Sequence, residues 1–337
     1  MVGNVRDLGF WGKLKKPFFV LAPMANVTDV AFRRMFMKYG KPDVMYAEFV
    51  SADGLSRADE KGKAILVRDL EFVEAERPIV AQFFTANPET MEYAASVALR
   101  LGFDGVDINM GCPDRVVEKQ GAGAVLMKNP TLASDLVDAA KRGACSGSVN
   151  GIPVSIKTRL GFNKDELEEW LPILLEAKPA AVILHARTRK EMSKVSAHWD
   201  RVARAVEIRN ILGSDALIVG NGDVVDLEDA YAKADATGVD GVMIGRGVFG
   251  KPWFFSGASE PLLETRLRIA VEHTELFEKL IGDVKSFAHM KKHFKAYCEG
   301  FRGARELRIK LMETKNAVEV HEIIEDFLQN VTPSLTV

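Results

Sequence analysis

Eight short apolar runs rich in β-branched residues recur through residues 18–245, and their spacing limits the possible folds more than any other feature of the chain. They are 18-FFVLA, 43-DVMYAEFV, 78-PIVAQFF, 103-FDGVDIN, 152-IPVSIKT, 180-AAVILHA, 215-DALIVGN and 240-DGVMIG. Runs that are apolar at consecutive positions suit strands buried on both faces, as in parallel sheets. Amphipathic stretches such as 89-ETMEYAASVALRLG and 131-TLASDLVDAAKRG lie between them. Eight strands alternating with helices match a (β/α)8 TIM barrel. A doubly wound open sheet is the competing arrangement, but no G-x-G-x-x-G follows the first strand. Beyond Phe255 the strand signal stops, and 261-PLLETRLRIAVEHTELFEKLIG through 321-HEIIEDFLQN read as helices. The expected organisation is an α/β barrel over 1–257 and a smaller all-helical domain over 258–337.

Composition excludes several classes. Of the 337 residues, 47% are hydrophobic and 27% charged, as in globular proteins. No apolar run approaches the roughly 18 residues of a membrane span. The N-terminal MVGNVRDLGFWGKLKK lacks the features of a signal peptide, so a cytoplasmic location is expected. Cys112, Cys145 and Cys298 form no CxxC pair, which argues against a disulfide framework or a zinc site. A formal charge of −2 gives no global attraction to nucleic acid, so any such contact must be local.

Barrel enzymes carry their chemistry at the C-terminal ends of the strands, and polar residues gather there in this chain. They are Pro23-Met24, Glu48, Gln82, Asn109 followed by Gly111-Cys112-Pro113, Lys157 and Arg159, His185 and Arg187, Gly220-Asn221-Gly222-Asp223 and Gly245-Arg246-Gly247. The glycine-bearing loops after strands seven and eight, each read as leading into a helix, suit a phosphate group. A phosphate site combined with Gln82, Lys157 and His185 suggests a flavin mononucleotide, with Lys157 near N1 and O2 of the ring. A Schiff-base lysine or a simple salt bridge stays open for Lys157 at this stage. Cys112, in a Gly-Cys-Pro turn, suits an acid or nucleophile, although a packed small hydrophobe is the plain alternative. Cys145 and Cys298 read as structural. His198, His273, His289, His293 and His321 lie off the strand ends and read as surface, helix or RNA-contact residues. No metal site is expected.

The segments 22-APMANVTDVAFRR, Gln82, 107-DINMGCPDRVVEKQGAGAVLM, 156-IKTRLGF, 185-HARTR, 220-GNGDV and 244-IGRGVFGKPWFF occur in that order. Together they resemble the tRNA-dihydrouridine synthases, over about Pro17 to Lys310. The resemblance implies an FMN-bearing barrel with a helical RNA-binding domain. By match, Pro23, Met24, Gln82, Lys157, His185, Asn221, Gly222, Gly245 and Arg246 hold FMN. Cys112 is the catalytic cysteine, and Asn109 and Arg187 lie near the target uracil. The implied reaction reduces the C5=C6 bond of a tRNA uridine, in the D-loop. NADPH or NADH reduces the FMN, hydride passes to C6, and Cys112 gives a proton to C5. One departure is Glu191, where the family pattern leads us to expect glutamine.

The stretch 285-KSFAHMKKHFKAYCEGFRGARELRIK carries Lys285, Lys291, Lys292, Lys295, Arg302, Arg305, Arg308 and Lys310, with Phe294, Tyr297 and Phe301 interleaved. With the resemblance it reads as a tRNA grip; alone it reads as a solvated helix face. No membrane or protein partner is implied, and a monomer is expected. The rival readings are a flavin barrel acting on a free pyrimidine such as dihydroorotate, an aldolase barrel, and a catalytically silent RNA-binding protein. Which tRNA uridine is modified is not encoded in any motif.

Overall fold

Each of the eight runs becomes a strand in the computed structural model, which describes residues 8–146 and 151–331. The strands are β1 Phe18–Leu21, β2 Met45–Ser51, β3 Ile79–Phe84, β4 Gly105–Asn109, β5 Val154–Arg159, β6 Ala181–His185, β7 Leu217–Asn221 and β8 Gly241–Ile244. They form one parallel sheet in the order β1-β8-β7-β6-β5-β4-β3-β2. A parallel bridge between Val20 and Val44, the residue before β2, joins the two ends of that order. The sheet therefore curls round on itself as a barrel, with the helices following the strands.

Along the barrel axis the interior changes character. Phe18, Val20, Tyr46, Val80, Ala181, Ile183, Leu217, Val219 and Met243 form an apolar filling, to which Trp11 is added from the 3₁₀ turn Gly9–Lys13. Trp11 lies 5.7 Å from the Phe18 ring, at the N-terminal end of β1. Towards the other end the inward positions turn polar, at Gln82, Asp107, Asn109, Ser155 and Asn221, all buried. The period-two alternation of a strand gives this pattern: Asp107 and Asn109, two apart on β4, face the same side.

The chain divides into two compact units, Met1–Ala25 with Pro42–Gly245, and Asn26–Lys41 with Arg246–Val337. The first holds the barrel. The second groups the helix Val30–Tyr39 with the C-terminal helices Leu263–Ile281, Lys291–Tyr297, Ala304–Glu313 and Ala317–Val331. Within it, Lys38 and Tyr39 both bind the Glu272 carboxylate, at 2.7 and 2.5 Å. No helix among the described residues is long and apolar enough to cross a membrane.

Phe294 and Tyr297, read from sequence as interleaved aromatics of an RNA grip, sit instead in the core of this helical unit. Their i, i+3 spacing puts them on one helix face, and burial of that face wins. His273 and His293 are buried there too, with rings 4.7 Å apart among Phe32, Phe249 and Tyr297. His273 Nε2 and His293 Nδ1 have no hydrogen-bond partner. Burial depresses both, His273 to about 3 and His293 well below its ordinary range.

The unfolded chain takes up protons on these two rings near pH 6.5, and the folded chain does not. The stability they allow is thus complete above about pH 6.5 and declines as pH falls towards the folded values. At pH 5 the loss is about 2 kcal/mol per histidine. Urea unfolding at pH 7.5 and pH 5 measures it. A helical-unit stability that does not change between the two would contradict the buried, neutral assignment.

Candidate active site

β3, β4 and β5 build the polar end of the barrel from the inside. Asp107, mid-strand on β4, accepts Gln82 Nε2 on Oδ2 at 2.6 Å, and Ser155 Oγ on Oδ1 at 2.6 Å. Gln82 Oε1 accepts Asn109 Nδ2 at 3.0 Å. Asn109 Oδ1 in turn accepts the backbone N–H of Gly111 at 3.2 Å and of Cys112 at 2.9 Å. This fixes the turn that presents Cys112. A second clamp comes from the G-A-G-A segment, where Ala124 N–H donates to Cys112 O at 2.9 Å. Gly123 adopts φ +64° there, and a Cβ on it would lie 2.7 Å from that same oxygen. A glycine is therefore required at this close approach.

Cys112 is half-buried and packs against the small apolar cluster of Phe84, Val117 and Ala122. Burial raises its thiol pKa above the usual value, and the Asp114 charge adds to this. The Asp114 backbone N–H and the Arg159 and Lys157 charges oppose it. The group is thus a protonated thiol at neutral pH. Lys157 points its ammonium to Asn221 Oδ1 at 3.2 Å, and Asn221 Nδ2 donates to Met243 O at 2.8 Å. Burial, helped by the Arg159 charge, lowers Lys157 to about 8. Arg159 donates Nε to Gly111 O at 2.7 Å, and burial lowers it to about 10.

On β6 and the loop after it, Arg187 is 2% exposed. Its Nε donates to Val195 O at 2.7 Å, its NH1 meets His185 Nε2 at 3.2 Å, and its NH2 pairs with Asp223. A guanidinium only donates, so His185 Nε2 accepts and the neutral ring carries its proton on Nδ1. Glu191 is accommodated within the same loop. Its Oε2 accepts Thr188 N–H at 2.7 Å and Thr188 Oγ at 3.0 Å, while Oε1 meets His198 Nε2 at 3.0 Å. His198, which had read only as an off-strand residue, is thus the partner of the carboxylate that replaces the expected glutamine.

The phosphate-type loops differ from the sequence reading in one respect. After β7 the helix Leu227–Thr237 does follow, but its N-terminus is already capped. Asp226 Oδ1 accepts Asp229 N–H at 2.8 Å, and Asp229 Oδ2 accepts Val225 N–H at 3.0 Å. After β8 comes only the 3₁₀ turn Arg246–Val248. Loop N–H groups, not a helix end, are what these loops offer. Gly222 sits at φ +136°, where a Cβ would come 2.9 Å from Ala197 Cβ. Pro23, Met24 and Gly245 lie at the ends of β1 and β8, and a Cβ on Gly245 would meet Met24 Sδ at 3.7 Å. Arg246 is exposed and begins the second unit.

The structure thus connects Gln82, Asn109 and Cys112 in one hydrogen-bonded chain, Lys157 to Asn221, and His185 to Arg187. The sequence reading named all of these and missed Asp107, Tyr46 and Ser155, which support them from below. The signal for Asp107 was present: a carboxylate two residues before Asn109 in an otherwise apolar strand. Among the described residues, no three His, Cys, Asp or Glu side chains come together as a metal site.

Comparison with known proteins gives a consistent pattern. The dihydrouridine synthase (Dus) family profile matches residues 20–332. The chain is 40% identical over 324 residues to "Probable tRNA-dihydrouridine synthase 2" of Bacillus subtilis (strain 168), covering 94% of this chain and 96% of the relative. It is 38% identical over 323 residues to "Probable tRNA-dihydrouridine synthase" of Staphylococcus aureus (strain COL), covering 94% and 95%. Among solved structures it resembles the 6-hydroxypseudooxynicotine amine oxidase of Pseudomonas geniculata N1 (TM-score 0.50, 13% identity, 70% of this chain and 46% of that one). It also resembles histamine dehydrogenase from Rhizobium sp. 4-9 (TM-score 0.51, 12% identity, 77% and 48%). At that identity these two show a shared fold alone, and this chain spans about half their length.

Proposed function

The chain belongs to the dihydrouridine synthase family, and from that premise we propose that it reduces the C5=C6 bond of a D-loop uridine in tRNA, with FMN as resident cofactor and NADPH as electron donor. The observation that carries the reading is a protonated thiol, Cys112, whose backbone is held by Asn109 on the same strand-end network as Gln82 and which feels the Lys157 charge.

The donor set fits a flavin. Lys157 has three N–H groups and spends one on Asn221, and Gln82 Nε2 spends one of its two on Asp107. Donors left over on buried and half-buried side chains call for a ligand edge rich in acceptors, which the carbonyls and ring nitrogens of a flavin's pyrimidine edge supply. Gln82, Lys157 and His185 are the side chains we assign to the ring. The Pro23 and Met24 backbone, Asn221, Gly222 and Gly245 are assigned to the rest of the cofactor. Arg246 carries its phosphate assignment from sequence alone. When bound and reduced, the flavin supplies hydride to C6 of the uracil.

The chain's own groups do the remaining work. Asn109 keeps one N–H, and Arg187 keeps two of its five beyond the three bonds described. We assign these donors to the uracil carbonyls, where negative charge grows as C6 accepts hydride. Cys112 gives its proton to C5. The target base must leave the RNA stack to reach a barrel interior.

In the helical unit, Lys295, Arg302 and Arg305 are exposed and suit phosphate contacts. Replacing these three with alanine is expected to weaken tRNA binding and to lower the slope of log affinity against log salt by about 1 for each phosphate no longer neutralised. An unchanged slope would remove them from the interface. The proposed function itself is tested by incubating FMN-loaded protein with NADPH and unmodified tRNA and mapping dihydrouridine. Site-specific formation is expected. Turnover of free dihydroorotate with no dihydrouridine in tRNA would replace this reading with its rival.

A further inference from the structure

Asp107 lies at the base of the chain of amides that ends on the Cys112 backbone, and it is fully buried. Its carboxylate receives three donors: Gln82 Nε2 and Ser155 Oγ, each at 2.6 Å, and Tyr46 OH at 3.4 Å. An ionised carboxylate only accepts, so the end of the Gln82 amide that faces it must be NH2. Gln82 Oε1 then faces Asn109 Nδ2, which turns Asn109 Oδ1 towards the N–H groups of Gly111 and Cys112. Reversing either amide would set oxygen against oxygen, or N–H against N–H, at a buried junction, at a cost of about 1–3 kcal/mol by general experience with unsatisfied groups. A primary amide is nearly symmetric in shape, so shape alone does not choose between the two orientations. An obligate acceptor at the base does.

We infer that Asp107 is a positioning residue: its carboxylate sets the polarity of the Gln82 and Asn109 amides, and through them holds the backbone that presents the Cys112 thiol. The inference rests on reading Cys112 as the proton donor. Burial raises Asp107 to about 6, against the hydrogen bonds from Ser155 and Gln82 and the charge of Lys157. The anchor is therefore ionised at neutral pH and becomes a partial donor below about pH 6, where the polarity of the chain is no longer enforced.

The test compares Asp107→Asn with Ser155→Ala in the FMN-loaded protein. Ser155 bonds the other carboxylate oxygen, off the branch that leads to Cys112. Four quantities are read: thermal midpoint, kcat, KM with unmodified tRNA, and the rate at which iodoacetamide alkylates Cys112, followed by peptide mass with the exposed Cys145 as internal reference. For Asp107→Asn the expectation is a fall in kcat of about ten- to a hundredfold at unchanged KM. Cys112 should also alkylate several-fold faster relative to Cys145. Measured at about pH 8, well above the Asp107 value, Ser155→Ala should keep the wild-type Cys112 rate. Wild-type kcat and Cys112 reactivity in Asp107→Asn would overturn the inference, and so would matching losses in both variants. If Asp107→Asn does not fold, the wild-type protein gives the same test: the Cys112-to-Cys145 rate ratio should step up as pH falls through about 6, and a flat ratio counts against the anchor. Should Cys112→Ala keep full turnover while Asp107→Asn still alters alkylation, the acid assignment falls and the anchoring stands.

Discussion

Cys112→Ala is expected to fold, retain flavin and bind tRNA, yet form dihydrouridine about 10²- to 10⁴-fold more slowly, the range for loss of a positioned general acid. The fold should tolerate the change because the turn is held through Cys112 backbone atoms, its N–H on Asn109 and its oxygen on Ala124. Only the sulfur is lost from a small cluster with Phe84, Val117 and Ala122. The size of the effect follows from protonation. Burial keeps the thiol above its ordinary range, so at neutral pH it carries the proton that C5 needs. A serine variant retains an O–H but is a far weaker acid and should rescue little. Dihydrouridine formation under single-turnover conditions separates this loss from any change in tRNA binding. Wild-type rates in the alanine variant would remove Cys112 from the chemistry.

The second large effect belongs to Lys157. Lys157→Met is expected to lower turnover by about 10²- to 10³-fold, as for removal of one preorganised donor facing developing charge. It should also weaken the hold on the reduced flavin more than on the oxidised form. Its pH signature is specific. Burial and the Arg159 charge bring Lys157 down to about 8, so the ammonium is present at pH 7 and lost as pH rises through 8. Wild-type activity should therefore fall above about pH 8. The methionine variant should lack that limb and stay uniformly slow. Deprotonation of Cys112 also lowers activity at high pH, but its raised thiol places that step further up the scale. Persistence of a limb near pH 8 in Lys157→Met would assign it to another group.

How much of this was legible in the sequence depended on whether the cause was local. The strands were legible because a parallel strand buried on both faces leaves a continuous apolar run, here rich in β-branched residues and too short for a helix. The polar strand ends were legible for the same reason: Gln82, Asn109 and Lys157 interrupt runs that packing alone would have kept apolar. What was missed has non-local causes. The 3₁₀ turn carrying Trp11 is too short to show a period, and only the barrel's apolar end explains its burial. The grouping of Asn26–Lys41 with the C-terminal helices reflects packing of the helix Val30–Tyr39, which its own pattern does not reveal. Asp226 caps the helix after β7, and from sequence that N-terminus read as open to phosphate. Phe294 and Tyr297 read as interleaved aromatics of a basic grip because of the lysines around them, although their spacing already marked one buried face.

The site was legible as a set of residue types and not as a network. Nothing in the sequence says that Gln82 binds both Asp107 and Asn109, or that Arg187 spends bonds on His185, Asp223 and Val195. Those links depend on strand register, with Gln82 opposite Asp107 and Asn109 opposite Lys157, which a single sequence does not fix.

The most direct measurement is a structure of the flavin-loaded protein with unmodified tRNA. It should show one uracil extruded into the barrel end, with Cys112 Sγ about 3–3.5 Å from C5 and the flavin on the opposite face of the base. A uracil whose C5 lies beyond reach of that sulfur, or a sulfur on the same face as the flavin, would contradict the account.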